Sequence, residues 1–199
     1  MKHGLLSILV IGIALLAIGA QPAARPDKLK FKGAEGFSLK LKDDGLKVVD
    51  DQDTELARIR VEESGKVKIK DAQDAVLGYV TGKDPQWHLK DAARSKTLFQ
   101  LTRQPNGDMK LEDGAGTLLC SVKKGDAHAE VADAGGKGLF RVQAKNGKTS
   151  IRDDADKVVL TTDAAIEPQV AALFVLKDLT LAQRAAFWLA MEQSQKLEK

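Results

Sequence analysis

The sequence predicts a mainly β protein: a closed antiparallel barrel of about twelve strands, filled by an apolar helix near its C-terminal end. Three observations support this prediction. A pattern of about 21 residues recurs six times, tight-turn residues bound each half of the pattern, and the chain after Pro168 has no glycine and many helix formers. The predicted organisation is a secretory segment over residues 1–24, the barrel over 25–167 and a helical segment over 168–199.

The N-terminal residues have the layout of a secretory signal. Lys2 precedes an uncharged apolar run over residues 4–20, and small residues suited to cleavage follow at positions 19–24. The alternative is a membrane anchor through residues 4–20. That run is slightly short for a span, and the cations that follow it are disfavoured there by the positive-inside tendency: Arg25, Lys28, Lys30 and Lys32. We therefore predict export to the periplasm or the extracellular space.

Six aspartates mark the repeat, with successive separations of 21, 20, 22, 20 and 20 residues: Asp50, Asp71, Asp91, Asp113, Asp133 and Asp153. An apolar residue stands two positions before each, and others stand about six and nine positions after it. The segment "KVKIKD" alternates valine or isoleucine with lysine, which is the period of a half-buried strand. Aspartate followed three positions later by glycine or aspartate is typical of a turn. Each unit is therefore a predicted β-hairpin.

The second strand of each unit has an irregular spacing. Leu77 and Val80 are an odd number of residues apart, so a regular strand would point them to opposite faces. We predict a β-bulge beside the turn that returns the leucine toward the core. Cys120 is the only cysteine and aligns with a core-facing column of the repeat, which predicts a buried, unreactive thiol.

Six hairpins joined by tight turns give twelve strands in an up-and-down meander, and residues 29–42 are a candidate seventh hairpin built on Phe31, Phe37, Leu39 and Leu41. A meander of this kind leaves unpaired edges unless it closes. A closed barrel of this size has an interior that strand side chains alone do not fill. A β-trefoil, which also contains six hairpins, is the alternative fold.

The helical segment is predicted to fill the part of the barrel interior that strand side chains leave empty. Residues 170–176 are apolar on every side, as in an enclosed helix. The predicted plug residues are Val170, Leu173, Phe174 and Leu176. Residues 180–183, "TLAQ", form a capping-box pattern, so a helix begins there. From Leu181 onward the pattern is amphipathic, with an apolar stripe at Ala185, Trp188 and Leu189. One bent helix and two helices divided near Asp178 both fit.

The repeated apolar-x-Asp unit, followed by "VAALFVLKDLTLAQRAAFWLAM", resembles the tubby-like superfamily, which includes LURP-one-related proteins and phospholipid scramblases. The resemblance covers roughly residues 29–191. It implies a closed barrel of twelve strands around a hydrophobic C-terminal helix. Family members bind phosphoinositides or other lipids, so it also implies a lipid ligand, but it places none of the family's ligand residues on this chain.

The sequence carries no catalytic or metal-binding pattern. His3, His88 and His128 lack metal-ligand spacing and accompany no nucleophile motif. The acidic clusters coincide with repeat turns, which explains them without calcium. We therefore predict a protein that is not an enzyme and has no cofactor and no metal. With 31 basic and 28 acidic residues, the chain has a net charge of +3, too balanced to indicate a nucleic-acid partner.

Four lysines at outward strand positions are candidates for binding anions: Lys68, Lys70, Lys90 and Lys110. Glu112 and Glu130 interrupt this band. The predicted function is a non-enzymatic, exported envelope protein that binds lipid, a membrane surface or another anionic ligand. The alternative is a structural or interaction module that binds a protein partner through the amphipathic helix. A continuous basic patch or an open cavity favours the first function, and an exposed apolar face on residues 181–191 favours the second.

Overall fold

The computed structural model describes residues 26–197, which form a closed antiparallel barrel around two helices. Each strand pairs with the next, and β1 pairs with β14, which closes the barrel. The predicted secretory segment lies outside the described residues. In chain order the elements are β1 Lys28–Gly33, β2 Phe37–Lys42, β3 Gly45–Asp50, β4 Glu55–Val61, β5 Val67–Asp71, β6 Val76–Lys83, β7 Gln86–Lys90, β8 Thr97–Arg103, β9 Met109–Asp113, β10 Leu118–Lys124, β11 His128–Asp133, β12 Gly138–Lys145, β13 Lys148–Asp153, β14 Val158–Thr162, α1 Pro168–Ala172, a 3-10 turn Leu173–Val175 and α2 Leu181–Leu197.

The barrel has fourteen strands, so the predicted count of twelve was too low. The six repeats form β3 to β14, and residues 29–42 do form a seventh hairpin, β1 and β2. Phe31 and Phe37 lie opposite each other, are buried, and stack with ring centroids 4.6 Å apart. This hairpin contributes the strand that seals the barrel, and the closed up-and-down order excludes the β-trefoil alternative.

The repeat aspartates open their turns as predicted. The carboxylate of Asp71 accepts hydrogen bonds from the backbone N–H groups of Gln73, at 2.9 Å, and Ala75, at 2.8 Å. Asp74, three positions on, has a φ of 70°, a conformation that aspartate and glycine tolerate better than most residues. The aspartates of the other five repeats also accept a hydrogen bond from the backbone N–H group four positions on: Asp50, Asp91, Asp113, Asp133 and Asp153.

A bulge follows each of the six turns, as predicted, and the bulge residues Leu119 and Val159 are partly buried against the core, but Leu56 and Leu77 do not return to it. Between β5 and β6 the pairing passes from Ile69–Gly78 to Lys70–Val76, which leaves Leu77 as the extra residue. The other five hairpins shift in the same way. Leu77 is 47% exposed and its counterpart Leu56 is 45% exposed. The predicted inward position was wrong for these two residues because the bulge lies at the rim, beside the turn.

The core is built from inward strand side chains and from both helices. The apolar residue two positions before each repeat aspartate is buried, and so are the plug residues Val170, Leu173, Phe174 and Leu176. α1 packs against β10 to β13, and α2 packs against β3 to β7 on the other side of the interior. The plug is therefore larger than predicted, because a fourteen-stranded barrel encloses room for two helices.

α2 is enclosed by the barrel more completely than the amphipathic pattern from Leu181 onward predicted. Residues 185–191 are all buried. The capping box is confirmed: the Thr180 N–H donates to Gln183 Oε1 at 2.9 Å, and the Gln183 N–H donates to Thr180 Oγ1 at 3.4 Å. Two helices, not one bent helix, follow Pro168. Within residues 26–197, no helix combines the length and the hydropathy needed to cross a membrane.

Candidate functional site: a basic outer face

The outer wall of β1 to β5 carries a row of cations that the strand pattern places there. Segments such as "KLKFKG" and "VKIKD" alternate apolar and basic residues. Since the apolar side chains point inward, the basic ones point outward. The pairing register sets five cations directly opposite one another on five neighbouring strands, and we term them the first cation row: Lys28, Lys40, Lys47, Arg58 and Lys70.

A second cation row runs beside the first and extends to β7. Gly45 separates Lys42 from Arg60, and Arg60 lies opposite Lys68. Tyr79 in turn separates Lys68 from Lys90. The two rows together form what we term the basic face. Neighbouring strands are about 4.8 Å apart, and like charges directly opposite each other destabilise a sheet, so this arrangement is costly to the fold.

Carboxylates around the basic face neutralise part of its charge. Asp53 lies 3.7 Å from the ammonium of Lys28 and 2.5 Å from that of Lys40, and Glu55 bridges Lys47 at 2.5 Å and Arg58 at 2.6 Å. Asp74 similarly serves two cations, and the remaining ion pairs are Arg60–Asp44 and Lys68–Glu62. Because single carboxylates each serve two cations, the face keeps an excess of positive charge.

These ion pairs lower the pKa values of two carboxylates around the basic face, Asp53 and Glu55. The hydrogen bond from Lys40 holds the pKa of Asp53 below its ordinary value of 3.8. The hydrogen bond from Lys47, assisted by Arg58, likewise lowers the pKa of Glu55 below 4.5. Lys42 and Lys90 form no ion pair with the described residues, so their charges are available to an external anion.

Tyr79 lies between Lys68 and Lys90 in the second cation row and holds neighbouring cations in place. Its side chain is buried, the guanidinium of Arg94 lies 3.9 Å from the ring centroid, and the ammonium of Lys68 lies 5.6 Å from it. Lys68 and Arg94 also pair with Glu62, and the hydrogen bond between Lys68 and Glu62 raises the pKa of Lys68. Cation–π contacts and ion pairs together hold the side chains of Lys68 and Arg94 against Tyr79 on the outer wall of the barrel.

The structure brings together three of the four lysines singled out in the sequence. Lys68, Lys70 and Lys90 lie on the basic face, whereas Lys110 lies on β9 between Thr102 and Ser121 and is separate from it. Sequence reasoning did not single out Lys28, Lys40, Lys47 and Arg58. The available signal was the alternation of lysine or arginine with apolar residues in the first five strands.

A second feature is a cleft of about 740 Å³ at the rim that carries the aspartate turns. The buried side chains of Phe37, Leu160 and Phe174 line it, and half-buried walls come from Leu139, Phe140, Val159 and Leu181. Arg184 donates from Nε to the Leu176 carbonyl at 2.8 Å and from Nη1 to the Phe174 carbonyl at 3.0 Å. Burial lowers the pKa of this guanidinium. We term this feature the rim cleft.

The histidines and the cysteine are the remaining candidates for chemistry in the sequence. In the part of the chain that the structure describes, no three His, Cys, Asp or Glu side chains are grouped so that they could hold a metal ion. His88 and His128 lie on the separate strands β7 and β11. Cys120 is 4% exposed, and burial raises the pKa of its thiol to about 12, which suits packing and not nucleophilic chemistry.

Comparison with protein-family models finds no match, and comparison with curated proteins finds none either. Among solved structures, the X-ray structure of a protein from Arabidopsis thaliana is similar, with a TM-score of 0.44 and 12% sequence identity. The similarity covers 76% of this chain and 89% of that protein. A likeness at this level assigns neither a family nor a ligand, so the tubby-like resemblance stays a prediction.

Proposed function

We propose that this protein is a non-enzymatic, exported binding protein whose basic face binds anionic lipid headgroups at a membrane surface. The observation that supports this proposal is the first cation row, in which five cations lie directly opposite one another. Opposed like charges destabilise a sheet, and a local feature that opposes folding is expected where function requires it. The three carboxylates that pair with these five cations offset only part of the repulsion, and bound phosphates would neutralise the rest.

The geometry suits a surface more than a small ligand. The two cation rows lie on the outer wall of neighbouring strands and not in a pocket, so they present positive charge over several strand spacings. A lysine or arginine near an anionic membrane contributes about 1 kcal/mol to binding. Several such residues acting together give binding that weakens steeply as salt rises.

The alternative function has less support. An interaction module that binds its partner through the C-terminal helix requires an exposed apolar face on residues 181–191. Residues 185–191 are buried inside the barrel, so a partner would have to displace the core to reach them.

Sedimentation with vesicles tests the proposal. The chain of residues 25–199, which contains the complete closed barrel, is mixed with phosphatidylcholine vesicles or with vesicles containing phosphatidylglycerol, at low and high salt. The informative variant is Lys42→Gln with Lys90→Gln, since neither lysine has an ion-pair partner among residues 26–197. Loss of two cations at about 1 kcal/mol each predicts roughly 30-fold weaker binding to anionic vesicles.

The matched control is Lys123→Gln with Lys145→Gln, two exposed lysines on β10 and β12 across the barrel from the basic face. We expect salt-sensitive binding to anionic vesicles alone, a large loss in the first variant and a small loss in the control. Absence of binding under all conditions would remove the proposal. Equal losses in both variants would show that the basic face is not the binding surface.

A further inference from the structure

We propose that the rim cleft is a second binding site, independent of the basic face, and that it takes one single-chain anionic amphiphile: a medium-chain fatty acid in its carboxylate form. None of the residues that line the cleft belongs to either cation row. The cleft lies at the end of the barrel between the β1–β2 turn, the β13–β14 turn and the start of α2.

The lining of the rim cleft favours an alkyl chain. Phe37 and Phe174 are buried aromatic residues whose ring centroids lie 5.5 Å apart. Leu139 and Val159 are the extra residues of two β-bulges, which place apolar side chains at the rim where a regular strand would not. A volume of about 740 Å³ lies within the range of roughly 300–1,000 Å³ typical of small-molecule sites.

Arg184 gives the cleft its preference for an anionic headgroup. Its side chain is half-buried and forms no ion pair with any residue from 26 to 197. Two backbone carbonyls fix the guanidinium, which leaves some of its five N–H donors for a ligand. A carboxylate accepts two parallel hydrogen bonds from such a group. Lys177, with its ammonium 5.4 Å from the Phe140 ring centroid, supplies a second cation at the mouth.

The acidic residues of the cleft leave this preference intact. The carboxylate of Asp153 accepts hydrogen bonds from the backbone of its own turn, and Asp154 lies 3.8 Å from the ammonium of Lys137. Glu35 on the β1–β2 turn and Asp178 also attract the Arg184 guanidinium, but both are exposed and lie beyond ion-pair distance, so water screens their charges. Arg184 is therefore the only charged group that is half-buried and unpaired among the described residues lining the cleft.

Isothermal titration calorimetry of residues 25–199 with decanoate, octanoate and 1-decanol tests the proposal. Each methylene that leaves water strengthens binding about fourfold, so octanoate should bind about 15-fold more weakly than decanoate. 1-Decanol has the same chain without the charge and should bind roughly 10- to 100-fold more weakly than decanoate. One decanoate per chain is expected. Absence of decanoate binding, or equal affinity for decanoate and 1-decanol, would overturn the proposal.

Two variants locate the site. Leu139→Glu places a repelling carboxylate on the cleft wall, and Leu98→Glu makes the same change at the equivalent, half-buried bulge residue outside the cleft. Decanoate affinity should fall at least tenfold in Leu139→Glu and stay unchanged in Leu98→Glu. Equal effects of the two changes would overturn the proposal.

Arg184→Gln should lose the preference for decanoate over 1-decanol. If that variant fails to fold, the leucine pair still decides. The variant with both Lys42→Gln and Lys90→Gln should bind decanoate with unchanged affinity. This result would distinguish the rim cleft from the basic face that we propose for membrane binding.

Discussion

Trp87 on the barrel wall donates a hydrogen bond from its indole Nε1 to the hydroxyl of Ser194 on α2, across 3.3 Å. Trp87 is fully buried on β7, and Ser194 is 8% exposed near the end of the described side chains. The same hydroxyl donates to the Ala190 carbonyl one turn earlier at 3.1 Å. The pair therefore attaches the C-terminal part of α2 to the wall of the barrel through a polar contact in an apolar interior.

Ser194→Ala should destabilise the protein by about 1–3 kcal/mol, because it leaves a buried indole N–H without an acceptor. Chemical denaturation followed by tryptophan fluorescence measures this. Ser121→Ala, a half-buried serine on the outer wall of β10, should change the free energy of unfolding by less than about 0.5 kcal/mol. A similar, small effect of both changes would mean that water replaces the lost acceptor.

Leu77 and Ile69 occupy fixed positions of the same repeat, yet the structure predicts different costs for their removal. Ile69→Ala should destabilise by about 2–5 kcal/mol because it opens a cavity beside a fully buried side chain. Leu77→Ala should cost less than about 0.5 kcal/mol, since Leu77 is 47% exposed. Denaturation midpoints of the two variants measure the difference. Comparable costs would show that the bulge leucine is packed in solution.

Features that depend on neighbouring residues were predictable from the sequence. The turn at Asp71 and the bulge at Leu77 follow from spacings within one hairpin, and the buried column that includes Cys120 follows from the repeat. The direction of the Leu77 side chain was not predictable. It depends on where the rim ends, which is a property of the closed barrel.

The basic face depends on register between strands, and this is why most of it escaped prediction. Lys28, Lys40, Lys47 and Arg58 come from four strands at unequal sequence spacings, and only the pairing of those strands aligns them. The enclosed position of α2 escaped for a related reason. Its sequence is compatible with an amphipathic helix, and the additional hairpin of β1 and β2 makes the barrel wide enough to contain it.

Stability should depend on pH through the carboxylates of the basic face. The pKa values of Asp53, Glu55 and Glu62 are lower in the folded protein than their ordinary values of 3.8 and 4.5. A lowered native pKa stabilises the fold above the unfolded value, and this stabilisation is lost as pH falls through the native value. Thermal unfolding midpoints should stay level on this account from about pH 7 to 5 and fall below pH 4. A midpoint that rises below pH 4 would contradict the assignment.

Cys120 should be unreactive in the folded state. Its thiol is 4% exposed with a pKa raised to about 12 by burial, and only the thiolate attacks disulfide reagents. With Ellman's reagent at pH 8 we expect no reaction of the native protein on a timescale in which the denatured chain releases one equivalent. Denatured protein is the control, because the chain contains a single cysteine. Rapid reaction of the native protein would show that the barrel opens.

Glu55 should have opposite effects on stability and on membrane binding. Its carboxylate joins Lys47 and Arg58, which lie opposite each other in the first cation row, so Glu55→Gln removes charge compensation and leaves the cations to repel. We expect a loss of about 1 kcal/mol at low salt, smaller at high salt because ions screen the repulsion. Binding to anionic vesicles should strengthen by about fivefold if the added net charge contributes about 1 kcal/mol. Glu63→Gln, an exposed glutamate with no ion pair among the described residues, should change stability little. If Glu55→Gln weakened vesicle binding, the basic face would not be acting through its net charge.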